Sequence, residues 1–473
     1  MKLSTSDFLL QSKENLKQIV DTLGHEFEFV SVLGTDVTGQ SFTVRTSGTK
    51  VAPSPDCERG FVVRVFQDSG FSEYSFNVLD VKSVCSRVRE IAAQDRARFL
   101  AHNRGIKYPR APKDEPAKVF YVAEAKSLPE AVDPEALIER LQSIHDAVKA
   151  GYSELVQVHV SLSVTQVNKL YLSKHKDLYQ SYQYSNGMAM AVARDENGVQ
   201  NDYLTCSGLS GFEIIDELEP LAEEAARRAV ELLKCEKIVP GEYDIICDPD
   251  FTGLIAHEAF GHGAEMDMYV KQRAKGQEYV GKRVASDKVV MHDGASAYAE
   301  VSSYLFDDEG NPAHDTIIIR NGILESGMCD ELSALLLGIS PTGNGKRESY
   351  KRKAYTRMTN TFFEEGDDSL DEMIASIRHG YLLEGFSSGM EDPKNWGIQC
   401  VASKGREIVD GKLTGKVVSP VYLTGYVPEL LESISMVAPG LKLSGSGYCG
   451  KGWKEWVKTS TGGSYIKARG KLS

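Results

Sequence analysis

Ala256-His257-Glu258-Ala259-Phe260-Gly261-His262-Gly263 sets two imidazoles on either side of a carboxylate and follows them with glycine. Two histidines four residues apart on a helix share a face and can grip one metal ion, while a Glu between them addresses the metal-bound water. Here the separation is five. At about 100° per residue, a regular helix would splay the two rings by about 140°, too far apart for one ion. The helix expected over residues 254–262 must therefore end or distort. A single wide turn with i→i+5 hydrogen bonds would bring the rings together, and such turns occur mostly at functional sites. Gly261 and Gly263 accommodate either outcome. Spacing alone leaves two readings, a metal site and two unrelated histidines, one buried and one solvated.

Outward from this run, a short strand over residues 243–247 precedes the histidines, and strands with glycine turns follow. Residues 317–320 turn at Asn321-Gly322 into Ile323 and Leu324, a hairpin signature. One helix, residues 369–378, interrupts the strands. Upstream, the segment 234–243 contains Pro240 and Gly241 and is the best candidate for a domain boundary. Before it lie a capped opening helix ending at Gly24 and strands over 27–33, 41–44, 60–66 and 71–77. A helix over 81–100 follows, then a connection over 103–133 rich in proline (Pro109, Pro112, Pro116, Pro129). Asp133-Pro134 starts a helix that stops at Gly151, and Val156, Val158, Val160 and Leu162 alternate with Gln157, His159 and Ser161 in a strand with one wet face. A helix over 220–233 ends this half. The expectation is an α+β fold of two domains: residues 1–234, mixed α and β with an antiparallel sheet, and residues 235–473, rich in strands and carrying the histidine pair.

The 473 residues exceed what one hydrophobic core usually serves, and 41% hydrophobic with 26% charged residues is ordinary globular usage. A formal net charge of −13 without a long Lys/Arg run argues against nucleic acid as a partner. The opening residues lack the apolar run of a secretory signal, no segment reaches membrane-spanning length, and eight cysteines without a CxxC pair fit reduced thiols. A cytoplasmic protein without a membrane contact is expected. Cys449, within Gly447-Tyr448-Cys449-Gly450-Lys451-Gly452, is the cysteine whose surroundings invite a chemical reading. As further metal ligands, Glu265, His292, His314 and Cys400 rival it.

With the histidine run, the chain resembles the TldD/PmbA family of modulator-of-gyrase peptidases, whose catalytic members carry H-E-x-x-x-H. The likeness continues through Gly281-Lys282-Arg283-Val284-Ala285-Ser286, Asp307-Asp308-Glu309-Gly310, Pro341-Thr342-Gly343-Asn344-Gly345, Arg357-Met358-Thr359-Asn360-Thr361 and Cys449-Gly450-Lys451. These blocks spread over nearly the whole second half; the first half resembles the family more weakly, around residues 60–77 and 156–213. After Cys449-Gly450-Lys451 the chain departs from the pattern: Gly452-Trp453-Lys454-Glu455-Trp456 stands where a Gly-Gln-type continuation to a small-residue turn is expected; Thr461-Gly462-Gly463-Ser464 supplies that turn, so the difference is local and bears on the pocket beside the histidines.

The resemblance implies a zinc ion held by His257, His262 and Cys449, with Glu258 as the general base of a peptidase that cleaves peptides or unfolded polypeptides inside a dimer, either a homodimer or a heterodimer with a paralogue. Two neutral imidazoles and one thiolate leave a site charge of about +1, enough to acidify a bound water. Glu265 and Asp267 either orient the ligands or belong to a solvated turn. Arg357 and Asn360 either hold substrate backbone or are strand residues, and His145 and His159 read as structural. Because the family also contains paralogues without the motif, a metal-stabilised, non-catalytic binding or partner subunit is the alternative; the intact His257-Glu258-His262 places the chain on the catalytic side.

Overall fold

The structure, a computed structural model, describes residues 1–102, 106–128, 131–196, 198–453 and 455–473. Residue 103, Pro129 and Lys454, which figure in the sequence reading, lie outside these. Helix α1 (Asp7–Leu23) starts where the Ser6 hydroxyl accepts the Leu9 N–H and ends at Gly24. It buries Leu9, Leu16, Ile19 and Leu23. Strand β1 (Phe29–Arg45) unites the two strands expected at 27–33 and 41–44. The polar stretch between them looks like a turn in isolation. It stays extended because β1 is paired on both flanks there, and because Asp36 accepts bonds from Ser6 Oγ at 2.6 Å and Arg59 Nε at 2.9 Å.

Strands β2 (Gly48–Pro53), β3 (Glu58–Gln67) and β4 (Gly70–Phe76) lead into α2 (Val81–His102). Next come β5 (Ala117–Val122), α3 (Pro134–Gly151), β6 (Leu155–Ser173), β7 (Lys176–Arg194), β8 (Val199–Gly208) and α4 (Ile215–Leu232). One eight-stranded sheet results, in the order β4-β3-β1-β6-β7-β5, with β2 beside β1 and β8 beside β7. All pairings are antiparallel except that of β5 with β7. The prolines of the 103–133 stretch mask β5, a short, largely exposed strand at the sheet edge. Likewise α4 begins before Pro220, at Ile215, with Asp216 and Glu217 in its first turn.

Strand alternation decides what each face of this sheet meets. Even-numbered positions such as Val30, Val32, Phe42, Val44, Val158, Val160 and Leu170 pack under the four helices. The other face, odd-numbered on β1 and β6, turns toward the second half of the chain: Leu33 and Tyr171 pack with Phe306, and Val37 and Val167 with Val301. Arg64 pairs with Glu309 at 2.6 Å on this face, and Lys169 with Asp308. The wet face of β6 is thus an internal one.

Strand β9 (Gly241–Cys247) opens the second half. It pairs with His379–Asp392 and with Ile466–Leu472; Val421–Tyr426 then links the latter to Gly397–Val409, which pairs back with His379–Asp392. These pairings close into a ring of five strands around a large apolar core that includes Ile245, Leu383, Cys400 and Phe260. Where helix was expected over 254–262 and 369–378, the described residues of this half form five short α-helices, Pro249–Leu254 (α5), Met266–Val270, Glu331–Leu337, Leu370–Ala375 and Val427–Glu432. None is long enough to display a helical period in the sequence. The architecture is mixed α and β with several sheets.

A second, six-stranded sheet includes Asn360–Phe363 and Ser460–Gly463, paired in parallel. Helix α5 lies against the latter strand at Gly253, where an added Cβ would sit 2.7 Å from the Gly462 nitrogen and 2.8 Å from its Cα. Because that neighbour is backbone, Gly253→Ala must displace α5 from the strand. A loss of about 1–3 kcal/mol in stability is expected, read as a lower urea midpoint; an unchanged midpoint would show that the close approach is not required.

Candidate metal centre

Helix α5 is started by Asp248, whose Oδ1 accepts the Phe251 N–H at 2.8 Å, and by Pro249 in the first turn. Asp248 Oδ2 also accepts the Gly385 N–H at 2.8 Å, which ties the helix start to the strand His379–Asp392. From Ile255 to Gly261 the helix widens to i→i+5 bonding, and the His262 N–H closes on the His257 carbonyl. This is the distortion that a five-residue spacing requires. The two rings end 5.1 Å apart between centroids and nearly perpendicular, at 83°.

Cys449 arrives from a hairpin of Tyr448–Lys451 and Glu455–Lys458. Its Sγ lies 3.5 Å from His262 Nε2, and donor atoms of His257, His262 and Cys449 all fall within 4.8 Å of one another. Tetrahedral zinc with ordinary Zn–N and Zn–S lengths separates its donors by about 3.4–3.8 Å. Two imidazoles and one thiol therefore fit zinc in chemistry, and the Cys449–His262 separation falls in this range. His257 Nδ1 is buried without a hydrogen bond, which is costly for a ring nitrogen unless a ligand takes it. Burial opposes a charge on Cys449, yet His257 and His262, through charge and hydrogen bonds, hold its pKa well below the usual thiol value. The thiolate, the form that binds metal, is favoured. Burial also depresses His262, but Cys449 and Glu265 carry it well above the usual imidazole value, so a proton and a metal ion compete for this ring.

Around the trio, charges are paired. Glu265, 2% exposed, accepts from His262 Nδ1 at 3.1 Å and meets Lys451 Nζ at 3.1 Å. Burial raises its pKa, but Lys451, His262 and Arg357 outweigh that and hold it at about 2. Glu265 thus orients a histidine of the trio. Asp267 does not reach the rings; it binds Lys451 at 2.6 Å and Lys271 at 2.9 Å. Among the other rivals, His292 sits between Asp315 and Glu364, each at 2.7 Å, His314 is exposed, and Cys400 is buried in the apolar core. None of these three joins the donor cluster.

Arg357 and Asn360 are structural rather than substrate-facing. Arg357, 1% exposed, donates to the Cys449 and Glu455 carbonyls and faces Glu265 at 4.0 Å. Asn360 donates to the Gly294 and Tyr298 carbonyls and to Ser303. His145 bonds Asp146 and Thr46, and His159 is buried in β6.

Glu258 lines a cavity of about 340 Å³ together with His257 and Tyr448. Its side chain lies against Gly389, where a Cβ would come within 2.4 Å of Glu258 Cγ. Ser41, Ser161, Ser163 and Asp202 from the eight-stranded sheet form the opposite wall. Sequence reading missed that wall, although the polar positions of β6 were its signal. It also missed Glu391, whose carboxylate oxygens are buried without hydrogen bonds and whose Oε1 lies 2.8 Å from the place of a Cβ at Gly263. Burial holds its pKa well above the usual range. No local motif marks it.

Family models match two segments: residues 127–233, described as the PmbA/TldA metallopeptidase central domain, and 240–467, described as the C-terminal domain. A metalloprotease of Methanothermobacter thermautotrophicus is 34% identical over 281 residues, 59% of this chain and 61% of that one. The matched stretch thus spans about three-fifths of that relative's length. A TldD-homologue metalloprotease of Haemophilus influenzae is 31% identical over 332 residues, 68% of each chain. A TldD-homologue zinc metalloprotease of Saccharolobus solfataricus is 31% identical over 261 residues, 54% of this chain and 57% of that one. The fold is that of TldE from Thermococcus kodakarensis, with a TM-score of 0.75 at 18% identity over 97% of this chain and 100% of that chain.

Removing Arg357 separates the Cys449 strand from Glu265. Arg357→Met should lower stability by about 3–5 kcal/mol, the range for deleting one partner of a buried ion pair. Urea denaturation checks this, and a wild-type midpoint would deny Arg357 that role.

Proposed function

Because the chain belongs to the TldD/PmbA family of metallopeptidases, we propose that it is a zinc-dependent peptidase acting on peptides or unfolded polypeptides. The observation that carries this reading is the convergence of His257, His262 and Cys449 at a widened helical turn, with Glu258 beside them in the wall of an internal cavity. These three residues would hold the zinc, and residues 235–473 would be the metallopeptidase domain packed on an N-terminal α+β domain of residues 1–234. A bound zinc ion would supply Lewis acidity to a peptide carbonyl and lower the pKa of water.

The chain's own groups supply the rest. Glu258 accepts the proton of the attacking water and passes it to the leaving amine nitrogen. Glu265 fixes the ring orientation of His262 through Nδ1, and Lys451 keeps Glu265 ionised. An extended substrate can satisfy its backbone against a strand edge with little demand on side chains, and Lys442–Ser444 offers such an edge next to the cavity residue Ser446. A cavity of about 340 Å³ has room for a few residues of extended chain and not for a folded domain. Eight free thiols fit a cytoplasmic location, and among the described residues no helix is long and apolar enough to cross a membrane. A negative net charge speaks against nucleic acid. We further propose a dimer, with itself or with a paralogue.

Elemental analysis should find one zinc per chain and a sharp loss of it in Cys449→Ala; full occupancy in that variant would remove Cys449 from the site. Glu258→Gln should keep the zinc and lose roughly 10²- to 10⁴-fold in turnover of an unfolded peptide. Near-normal turnover would end the general-base assignment. Zinc binding without any peptidase activity in the wild-type protein would favour a non-catalytic partner subunit.

A further inference from the structure

The cavity beside Glu258 continues along α5 to an acidic end formed by Asp202 and Asp250. Asp202, on β8, is 4% exposed; its Oδ1 accepts the Tyr203 N–H at 2.8 Å, and its Oδ2 has no hydrogen bond. Asp250, in the first turn of α5, is open to the cavity. Neither aspartate forms an ion pair with a described residue, and nearby cations are engaged elsewhere. Arg228 Nε donates to Glu224 at 2.7 Å, and Lys404 pairs with Glu231 and Glu384 at 3.1 and 3.5 Å. Arg228 also lines the cavity and, with the exposed Lys442 on the strand beyond, is a positive charge near Asp250, but neither comes within ion-pair distance of it. Burial raises both carboxyl pKa values and outweighs the opposing pull of Arg228 on each.

Building on the peptidase reading above, we propose that Asp202 and Asp250 form a subsite for an ammonium group of the substrate, carried either by a free α-amine or by a lysine side chain. An ammonium brings a full positive charge and three donors to two carboxylates that have no ion-pair partner among the described residues and to the unbonded Asp202 Oδ2. The helix sets the distance. Asp250, Leu254 and His257 follow one another at i, i+4 and i+7 and all line the cavity. At about 1.5 Å per residue, the acidic end lies about 10 Å from His257, the reach of about three extended residues. A free amine would therefore sit about three residues from the scissile bond, and a lysine nearer to it by the length of its side chain.

The test uses full-length Glu258→Gln protein and two pairs of labelled peptides of one sequence. One pair has a free or an acetylated N-terminus; the other is acetylated and carries lysine or norleucine near the centre. Fluorescence anisotropy gives each Kd. The ammonium member of at least one pair should bind about tenfold tighter, as a charge-assisted hydrogen bond implies, and the pair that shows the difference identifies the source. Adding Asp202→Asn or Asp250→Asn should erase the difference while leaving the neutral peptide's Kd in place. Equal affinities in both pairs, no binding of any peptide, or a preference that survives the double Asp→Asn variant would each overturn the proposal. The pairwise comparison needs no wall substitution, so it stands even if a variant folds poorly. Failure of the peptidase reading would appear separately, as wild-type protein that does not cleave the acetylated neutral peptide.

Discussion

Two imidazoles five residues apart can face one point only if the helix between them is widened, and that local geometry is what the surrounding structure is built to hold. An i→i+5 turn is rare because an ordinary α-helix packs its backbone better. Here the turn is fixed at both ends. Upstream, Asp248 caps α5 and binds Gly385, and Gly253 lets the helix press against the strand Ser460–Gly463. Downstream, the Met266 N–H donates to the Met328 carbonyl, anchoring the chain just past Glu265. Between these anchors Ile255, Ala256, Ala259 and Phe260 are buried in the apolar core, so the widened turn cannot relax without opening that core.

Charge around the trio is arranged with similar economy. Cys449 and Glu265 would repel each other across His262, but Lys451 and Arg357 both lie against Glu265. Lys451 is two residues from Cys449 and also binds Asp267 and the Thr356 carbonyl. Arg357 holds the carbonyl of Cys449 itself. The strand that carries the thiol is therefore positioned by the same cations that keep Glu265 ionised, which couples the third donor to the orientation of the second.

Much of this was legible in the sequence, for reasons that differ from residue to residue. The demand for a distorted helix followed from angular arithmetic on His257 and His262, and the structure has the distortion. Capped helices such as α1 and α3 announce themselves because Ser6 and Asp133 supply side-chain acceptors at their starts. By contrast, β1 was read as two strands because Asp36 and its polar neighbours are kept extended by tertiary partners, and β5 was hidden by prolines around it. Arg357 and Asn360 looked available for substrate because sequence gives residue type but not burial. Cys449 was one rival among several on residue chemistry alone; family likeness singled it out, and the hairpin brings it to His262 from 187 residues away. Glu391 and the Asp202 wall could not be found, since their proximity to the site is created only by the fold.

The first half of the chain completes the site rather than merely accompanying it. Its sheet turns one face to four helices and the other to the second half of the chain, and the serines and aspartate of that second face close the cavity over Glu258. All of this presupposes that the three donors share one metal ion. Zinc K-edge X-ray absorption on the purified protein tests that most directly: one sulfur at about 2.3 Å and two nitrogens at about 2.0–2.1 Å are expected. A shell of nitrogen and oxygen alone, with no sulfur, would contradict it.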